Sequence, residues 1–325
     1  MPKVSVVIPV YNAEQFILRC VNSVLDQSFH DIEIILVDDG SHDHSLKICE
    51  EISIKDKKIR FFHKENGGSN SARRYGVEQA KGDYINFIDV DDTIPKDSID
   101  NLYKKAIQYD LDITQSAQYF WKNQEDKPFF SGFPSDGIYN NIEFLHLLFK
   151  DRANGGPHGC LYKRGLFGKE TFNLPNDVKL GEDFYMNLCL GLQAKKVGLF
   201  NDIITYNYLD NTNSVTYVYR YTSISPQQGQ LESIRRELNN NQLFDEFSDD
   251  FYRRALGVLA SACFHNHQLI YEQYIKQMAH EIWPNVHFWK EKCLCYMLLH
   301  PSILPIMNTI NESRKIVSNI RKKIR

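Results

Sequence analysis

Three carboxylates within four positions give the strongest chemical signal in this sequence. Asp89, Asp91 and Asp92 follow residues 84–88, a mostly apolar run that predicts a buried strand. Carboxylates this close repel one another and raise each other's pKa, so a cation between them would stabilise the group. Mg²⁺ and Mn²⁺ prefer oxygen ligands, and Mg²⁺ is commonly bound by one or two carboxylates together with substrate phosphates. We therefore expect a metal-bridged phosphate site here, with a solvated acidic turn as the simpler alternative.

Polar loops also follow the three strands predicted before this one. These loops contain Tyr11-Asn12, Asp38-Asp39-Gly40-Ser41 and Asn66-Gly67-Gly68. The strands alternate with helices and short loops, which is typical of a doubly wound α/β sheet with mostly parallel strands and flanking helices. Because the carboxyl ends of parallel strands meet at one edge of the sheet, we expect the four loops to converge on one ligand. Asn12 is also expected to cap the helix that follows the first strand.

Composition narrows the class of protein further. The chain has 325 residues, 42% of them hydrophobic and 24% charged, which is ordinary for a globular protein long enough for more than one domain. Its formal net charge of -3 gives no support to nucleic-acid binding. The seven scattered cysteines complete no zinc pattern, and we expect a reduced, cytoplasmic protein. Neither a secretory signal nor a transmembrane run is predicted.

The sequence changes character near residue 222. We predict an α/β domain over residues 1–222 and a mainly helical region over residues 223–325, whose apolar residues could support a homodimer. The last residues predict a basic amphipathic helix, typical of a peripheral element on the inner face of the cell membrane. A basic tail that is packed or solvated is the alternative. Its apolar stripe and its basic residues are Ile303, Ile306, Ile310, Val317, Ile320, Ile324, Arg314, Lys315, Arg321, Lys322, Lys323 and Arg325.

Five motifs in this order resemble the family 2 glycosyltransferases of the GT-A fold. They are VVIPVYN at 6–12, VDDGS at 37–41, NGG at 66–68 with Ala72-Arg73, DVDD at 89–92 and GED at 181–183. The resemblance covers roughly residues 3–215. It implies an inverting enzyme that moves a sugar from a nucleotide diphosphate to an acceptor hydroxyl, usually with Mn²⁺ or Mg²⁺. A role in bacterial surface polysaccharide synthesis, with a glycan or lipid-linked glycan as acceptor, would fit such an enzyme.

The resemblance also implies roles for the residues of the donor site. Asp39 matches the position that accepts a hydrogen bond from the nucleotide base, and a carboxylate suits the imide N–H of uracil, so a UDP-sugar is expected. Asp91 is the preferred metal ligand, assisted by Asp89 or Asp92, whose roles could instead include ribose binding. The remaining nucleotide-binding candidates are Pro9, Tyr11, Asn12, Asp38, Gly67, Gly68, Arg73 and Asp89.

The carboxylates at 182 and 183 complete the predicted site. Asp183 matches the family's catalytic base, which takes the proton of the acceptor hydroxyl, and Glu182 would orient the acceptor or Asp183 itself. An acidic helix start is the structural alternative, because carboxylates are favourable at that end of the helix dipole. His158, in a glycine-rich loop that departs from the form common in relatives, is a weaker candidate for acceptor contact.

Two other functions remain open from the sequence. A sugar-nucleotide nucleotidyltransferase also combines an α/β sheet with metal and phosphate, but that class places a glycine-rich basic loop after the first strand, and residues 9–13 have none. A non-catalytic protein that binds nucleotide-sugars or acts as a scaffold is the third interpretation, and Asp183 argues against it.

Overall fold

The computed structural model describes residues 2–121, 128–209, 211 and 219–301. The chain divides into two compact units, Met1–Tyr219 and Arg220–Arg325. The predicted amphipathic tail over 303–325 lies outside the described residues. Among the residues that are described, no helix is both long and apolar enough to span a bilayer.

The described residues of the first unit form a sheet of nine strands flanked by helices, which confirms the predicted fold class. Strands β1 to β9 span Val4–Val10, Ile32–Asp38, Ile59–His63, Tyr84–Phe87, Ile113–Trp121, Phe129–Ser131, Gly137–Tyr139, Cys160–Lys163 and Val197–Leu209. Helices α1 to α6 span Ile17–Leu25, Ser45–Lys55, Ser69–Gln79, Ser98–Tyr109, Asn141–Phe149 and Glu182–Gln193.

The strand order is β3-β2-β1-β4-β8-β5-β9-β7, and β6 pairs with β5. The first four strands in this order are parallel, β8 is antiparallel to both of its neighbours, and β9 runs parallel to β5. β2 is buried along its whole length and β1 everywhere except Pro9, as expected for apolar runs covered by helices on both faces. The carboxyl ends of β1, β2 and β4 therefore lie along one edge.

The predicted cap at Asn12 is wrong. Helix α1 begins only at Ile17, after a turn in which the Phe16 N–H donates to the carbonyl of Ala13. Asn12 has a φ of 45°, and its Oδ1 accepts a hydrogen bond from the backbone N–H of His42 at 2.8 Å. Its side chain thus joins the loops after β1 and β2 and does not cap the helix.

The second unit is helical in its described part, which confirms the predicted helical C-terminal region. Helices α7 to α10 span Ser225–Asn240, Phe244–His265, Gln273–Asn285 and Trp289–Leu299. The core of this unit includes Phe247, Phe251 and Leu256 on α8 and Ile282 on α9. The apolar residues recur at helical spacing, so each helix buries one face.

Candidate active site

The loop after β2 is built around the Asp39 carboxylate. Asp39 is 2% exposed, and its Oδ1 accepts from Lys64 Nζ at 2.6 Å and from the Gly67 N–H at 3.0 Å. Its Oδ2 accepts from the Gly68 N–H at 2.7 Å. Gly68 has a φ of 86°, a conformation that favours glycine. Asp39 therefore fixes the glycine loop, and its carboxylate still has room for one further donor.

Asp38 and the residues after β1 lie next to the loop that contains Asp39. Asp38 is fully buried, and its Oδ2 accepts from the His63 ring at 2.7 Å. Its Oδ1 is buried without a hydrogen-bond partner among the described residues. Tyr11 is 48% exposed and touches the His42 ring edge-on at 6.5 Å, while Pro9 is half-buried opposite Val37.

Arg73 connects Asp89, in the loop after β4, to the carboxylate of Asp183. It is 4% exposed, its Nη1 donates to Asp183 Oδ1 at 2.6 Å, and its Nη2 donates to Asp89 Oδ1 at 2.9 Å. Burial lowers the pKa of Arg73, but the two carboxylates outweigh burial and raise it above its ordinary value. Gly76 allows this placement, since a Cβ there would lie 2.3 Å from Val7 Cγ1 and push α3 off β1.

Asp89 lies between two cations. Its Oδ2 accepts from His158 Nε2 at 2.7 Å, opposite the bond from Arg73. Burial would raise the pKa of Asp89, but His158 and Arg73 hold it well below its usual range. Burial alone would lower the pKa of His158, and Asp89 raises it to about 9. The sequence offered His158 as an acceptor contact, whereas the structure places it on the acidic cluster, against the Tyr206 ring at 4.9 Å.

Asp92 is anchored by strand β9. It is 1% exposed, its Oδ2 accepts from the Tyr206 hydroxyl at 2.7 Å, and its Oδ1 accepts from the Leu209 N–H at 2.7 Å. Burial and the neighbouring Asp89 raise the pKa of Asp92 to about 7. Sequence reasoning missed Tyr206 and Leu209, because nothing local marks a residue on β9 as a partner of the acidic cluster.

Among the described residues, the Asp91 carboxylate accepts fewer hydrogen bonds than those of Asp89 and Asp92. Its Oδ2 accepts from Asn211 Nδ2 at 2.9 Å, and its backbone carbonyl accepts from Arg19 at 2.5 Å. Burial raises the pKa of Asp91, and Asp89 adds to this effect. Within the described part of the chain, no ion pair reaches its carboxylate. A bound cation would therefore relieve more repulsion at Asp91 than at Asp89.

The cluster can hold a divalent metal. Asp89, Asp92 and His158 each present a ligand atom, and these atoms lie within 4.8 Å of one another. Carboxylate oxygens suit Mg²⁺ and Mn²⁺, whereas His158 would have to lose the proton that it donates to Asp89 before its Nε2 could bind a metal. Of the three carboxylates predicted as metal ligands, Asp89 and Asp92 belong to this group and Asp91 does not.

The carboxylates at 182 and 183 lie in the first turn of α6. Gly181 precedes the helix with a φ of 86°. Glu182 Oε1 accepts from the Ser69 hydroxyl at 3.2 Å, so α6 meets the start of α3 at this point. Burial and the adjacent Asp183 raise the pKa of Glu182 to about 7. A cavity of about 80 Å³ beside this contact is lined by residues that include Ser69 and Lys179.

The predicted site residues therefore form two hydrogen-bonded groups. Asp39 with the glycine loop is the first, and Arg73 with Asp89 and Asp183 is the second. Helix α3 links them, because it begins directly after the glycine loop and carries Arg73 in its second turn. Open α/β sheets bind nucleotides in the crevice outside the carboxyl ends of their parallel strands, and Asp39 and Asp89 follow such ends.

Comparison with known proteins agrees with this fold. The family model described as Glycosyl transferase family 2 matches residues 5–170. The S. aureus TarS fragment 1-349, solved in complex with UDP-GlcNAc, has a TM-score of 0.60 and 18% identity to this chain, covering 91% of this chain and 90% of that one. The fold and the matched motifs define a GT-A glycosyltransferase scaffold.

Curated relatives place the chain within that class. Glycosyltransferase GlyG of Streptococcus pneumoniae is 38% identical over 221 residues, which cover 65% of this chain and 72% of GlyG. Glycosyltransferase GlyA of the same organism is 32% identical over 256 residues, covering 76% of this chain but only 34% of GlyA. The chain thus spans about a third of that longer relative. The chain belongs to glycosyltransferase family 2.

Proposed function

We propose that this chain transfers a sugar from a UDP-sugar to an acceptor hydroxyl with inversion at the anomeric carbon. The observation that carries the proposal is the buried Arg73, which bonds to Asp183 at 2.6 Å and to Asp89 at 2.9 Å. One guanidinium fixes the separation between a base and the carboxylates that would face a diphosphate. An inverting displacement needs such a separation, because the base and the leaving group act on opposite sides of the reacting carbon.

The loops after β1 and β2 are suited to binding a uracil nucleotide. Asp39 can accept the imide N–H of uracil with its remaining lone pair, and the exposed Tyr11 ring lies on the adjoining loop. The TarS fragment of similar fold was solved with UDP-GlcNAc, which favours UDP over other nucleotides as the first donor to test. Gly67 and Gly68 leave room for the nucleotide to approach the backbone.

A divalent metal, Mn²⁺ or Mg²⁺, would be held by Asp91 with Asp89 or Asp92. When bound, it supplies Lewis-acid stabilisation of the departing diphosphate. The protein's own residues do the rest of the chemistry. Asp183 accepts the proton of the acceptor hydroxyl, and the hydrogen bond from Arg73 holds this carboxylate in position. Glu182 orients the acceptor beside the cavity next to Ser69.

The acceptor is a glycan or lipid-linked glycan of a bacterial surface polysaccharide. The bacterial relatives are named as glycosyltransferases, which supports sugar transfer in a bacterium. Family membership also favours sugar transfer over the nucleotidyltransferase alternative.

The test is release of UDP from a panel of UDP-sugars, with Mn²⁺ and with EDTA, in the presence of candidate acceptors. Asp183→Asn should retain UDP-sugar binding and lose about 10²–10⁴-fold in transfer rate, the usual contribution of a general base. Asp97→Asn, an exposed carboxylate outside the site, is the matched control. NMR of the product reports whether the anomeric configuration is inverted.

Two results would contradict the proposal. Transfer by Asp183→Asn at the wild-type rate would remove Asp183 from the chemistry. Tight UDP-sugar binding without turnover for any donor and acceptor would favour the non-catalytic binding protein.

A further inference from the structure

Helices α9 and α10 meet at a corner that exposes large aromatic side chains. The exposed fractions are 38% for Trp283, 64% for Phe288, 68% for Trp289 and 46% for Tyr296. Trp283 lies near the end of α9, and Phe288 and Trp289 lie at the start of α10. Two of the chain's three tryptophans thus lie at this corner. A cluster of exposed aromatic residues is unusual on a monomer and commonly marks an interaction surface.

Ring contacts arrange these side chains in two groups, one around Trp283 and one around Trp289. The Trp283 and Tyr296 ring centroids are 6.3 Å apart, and Lys292 Nζ lies 4.5 Å above the Trp283 ring. Lys290 Nζ lies 5.8 Å from the Trp289 ring. We name this the corner surface and define it by the residues Trp283, Phe288, Trp289, Lys290, Lys292 and Tyr296.

The corner surface combines amphipathic aromatic rings with lysines. Tryptophan and tyrosine are enriched at the boundary between lipid and water, where the ring is buried and its polar edge stays hydrated. Lysine places its aliphatic stem along apolar surface and keeps its charge at the headgroup level. Phe288 and Trp289 lie at the turn between two helices, so both rings can enter the headgroup region without unfolding either helix.

Three occupants of this surface are compared by their charge: residues 302–325, a second copy of the chain, and an anionic partner. Residues 302–325 follow α10 closely and contain six basic residues and one acidic residue, Glu312. If this segment covered the corner surface, its positive charges would meet Lys290 and Lys292. A symmetric dimer would likewise bring the lysines of one copy toward those of the other. An anionic partner is complementary to both the corner surface and the segment that follows it.

We propose that the corner surface docks on an anionic lipid bilayer. Phe288 and Trp289 insert among the headgroups, and Lys290 and Lys292 bind lipid phosphates. The inference goes beyond sugar transfer and does not depend on it, because none of these residues belongs to the catalytic crevice. It also rests on described residues, and the predicted amphipathic tail is not needed for it.

The test uses the full chain with vesicles of phosphatidylcholine alone and with phosphatidylglycerol added. The wild-type chain should sediment with the anionic vesicles, and its tryptophan emission should shift to shorter wavelength. Phe288→Ser keeps both corner tryptophans as reporters and should weaken partitioning about tenfold, because one phenyl ring stays in water. Lys290→Glu should weaken it at least about fivefold on anionic vesicles.

Controls separate the surface from the rest of the chain. Phe129→Ser removes a ring that is 66% exposed on β6 and should leave partitioning unchanged. Cys293 is the exposed one of the seven cysteines, so a fluorophore attached there reports the polarity around α10 independently. Circular dichroism checks that each variant stays folded.

Three outcomes would overturn the proposal. The first is wild-type partitioning by a Phe288→Ser/Lys290→Glu double variant, which would assign membrane binding to another segment. The second is equal binding to neutral and anionic vesicles. The third is a concentration-dependent dimer that the double variant abolishes while no vesicle is bound, which would make the corner surface an interface between copies.

Discussion

Replacing Arg73 with glutamine tests the central contact of the crevice. The change removes the cation that Asp89 and Asp183 share, while a side chain of similar length remains on α3. Loss of one partner from a buried ion pair costs about 3–5 kcal/mol. The two carboxylates are 30% and 29% exposed, so water compensates part of the loss, and we expect about 3 kcal/mol. Urea unfolding followed by circular dichroism measures this difference.

A double-mutant cycle isolates the bond to Asp183. Arg73→Gln combined with Asp183→Asn should be less destabilising than the sum of the single changes, with a coupling energy of about 1–3 kcal/mol. Arg74→Gln is the matched control, because the neighbouring Arg74 is exposed and pairs with Glu78 four residues on. That variant should lose at most about 0.5 kcal/mol. A cost below about 1 kcal/mol for Arg73→Gln, or no coupling to Asp183, would refute the bridging role.

Three further predictions concern the metal, the pH dependence and the glycine loop. Asp91→Asn should reduce Mn²⁺-dependent transfer by about 100-fold and weaken Mn²⁺ binding in calorimetry, and wild-type Mn²⁺ affinity would exclude Asp91 as a ligand. Burial raises the pKa of Glu182 to about 7, so the folded chain holds this proton more tightly than the unfolded chain and loses stability as pH rises from about 4.5 to 7. In urea unfolding near pH 8, the free energy of unfolding of Glu182→Gln should therefore exceed that of the wild type by up to about 3 kcal/mol, and near pH 4 the difference should be small. An equal difference at both pH values would contradict the burial of this carboxyl. Gly68→Ala should cost about 1–3 kcal/mol in thermal unfolding because of the φ of 86°, whereas Gly165→Ala, with open space around it, should be nearly neutral.

The sheet could be predicted because its signal is local. The run at residues 4–10 is apolar on both faces, and only a strand covered on both sides buries such a run. Asn12 shows the limit of this approach. Its type suits a helix cap, but its φ of 45° and its bond to His42 arise from packing between two loops that are distant in sequence.

The candidate site shows the same difference between local signals, which the sequence contains, and contacts between distant segments, which it does not. Each carboxylate of the crevice stands beside a strand or helix boundary that the sequence indicates, as Asp89 and Asp183 do. The partners of these carboxylates come from elsewhere in the chain: His158 reaches Asp89 across 69 residues, and Tyr206 reaches Asp92 across 114. Such pairings depend on β8 and β9 joining the sheet beyond β4, an order that local patterns do not contain.

The bond between Asp92 and the Leu209 N–H also has a consequence for biosynthesis. The two residues are 117 positions apart, so the acidic cluster is complete only after the ribosome has released β9. Translation at about 5–20 residues per second separates the two residues by roughly 6–23 s. During that interval the nascent chain already carries its nucleotide-facing strands, but Asp92 lacks the two donors that hold it. A chain stalled before β9 would therefore contain the acidic cluster without the two donors to Asp92. The cluster would be completed in one late step, when β9 joins the sheet.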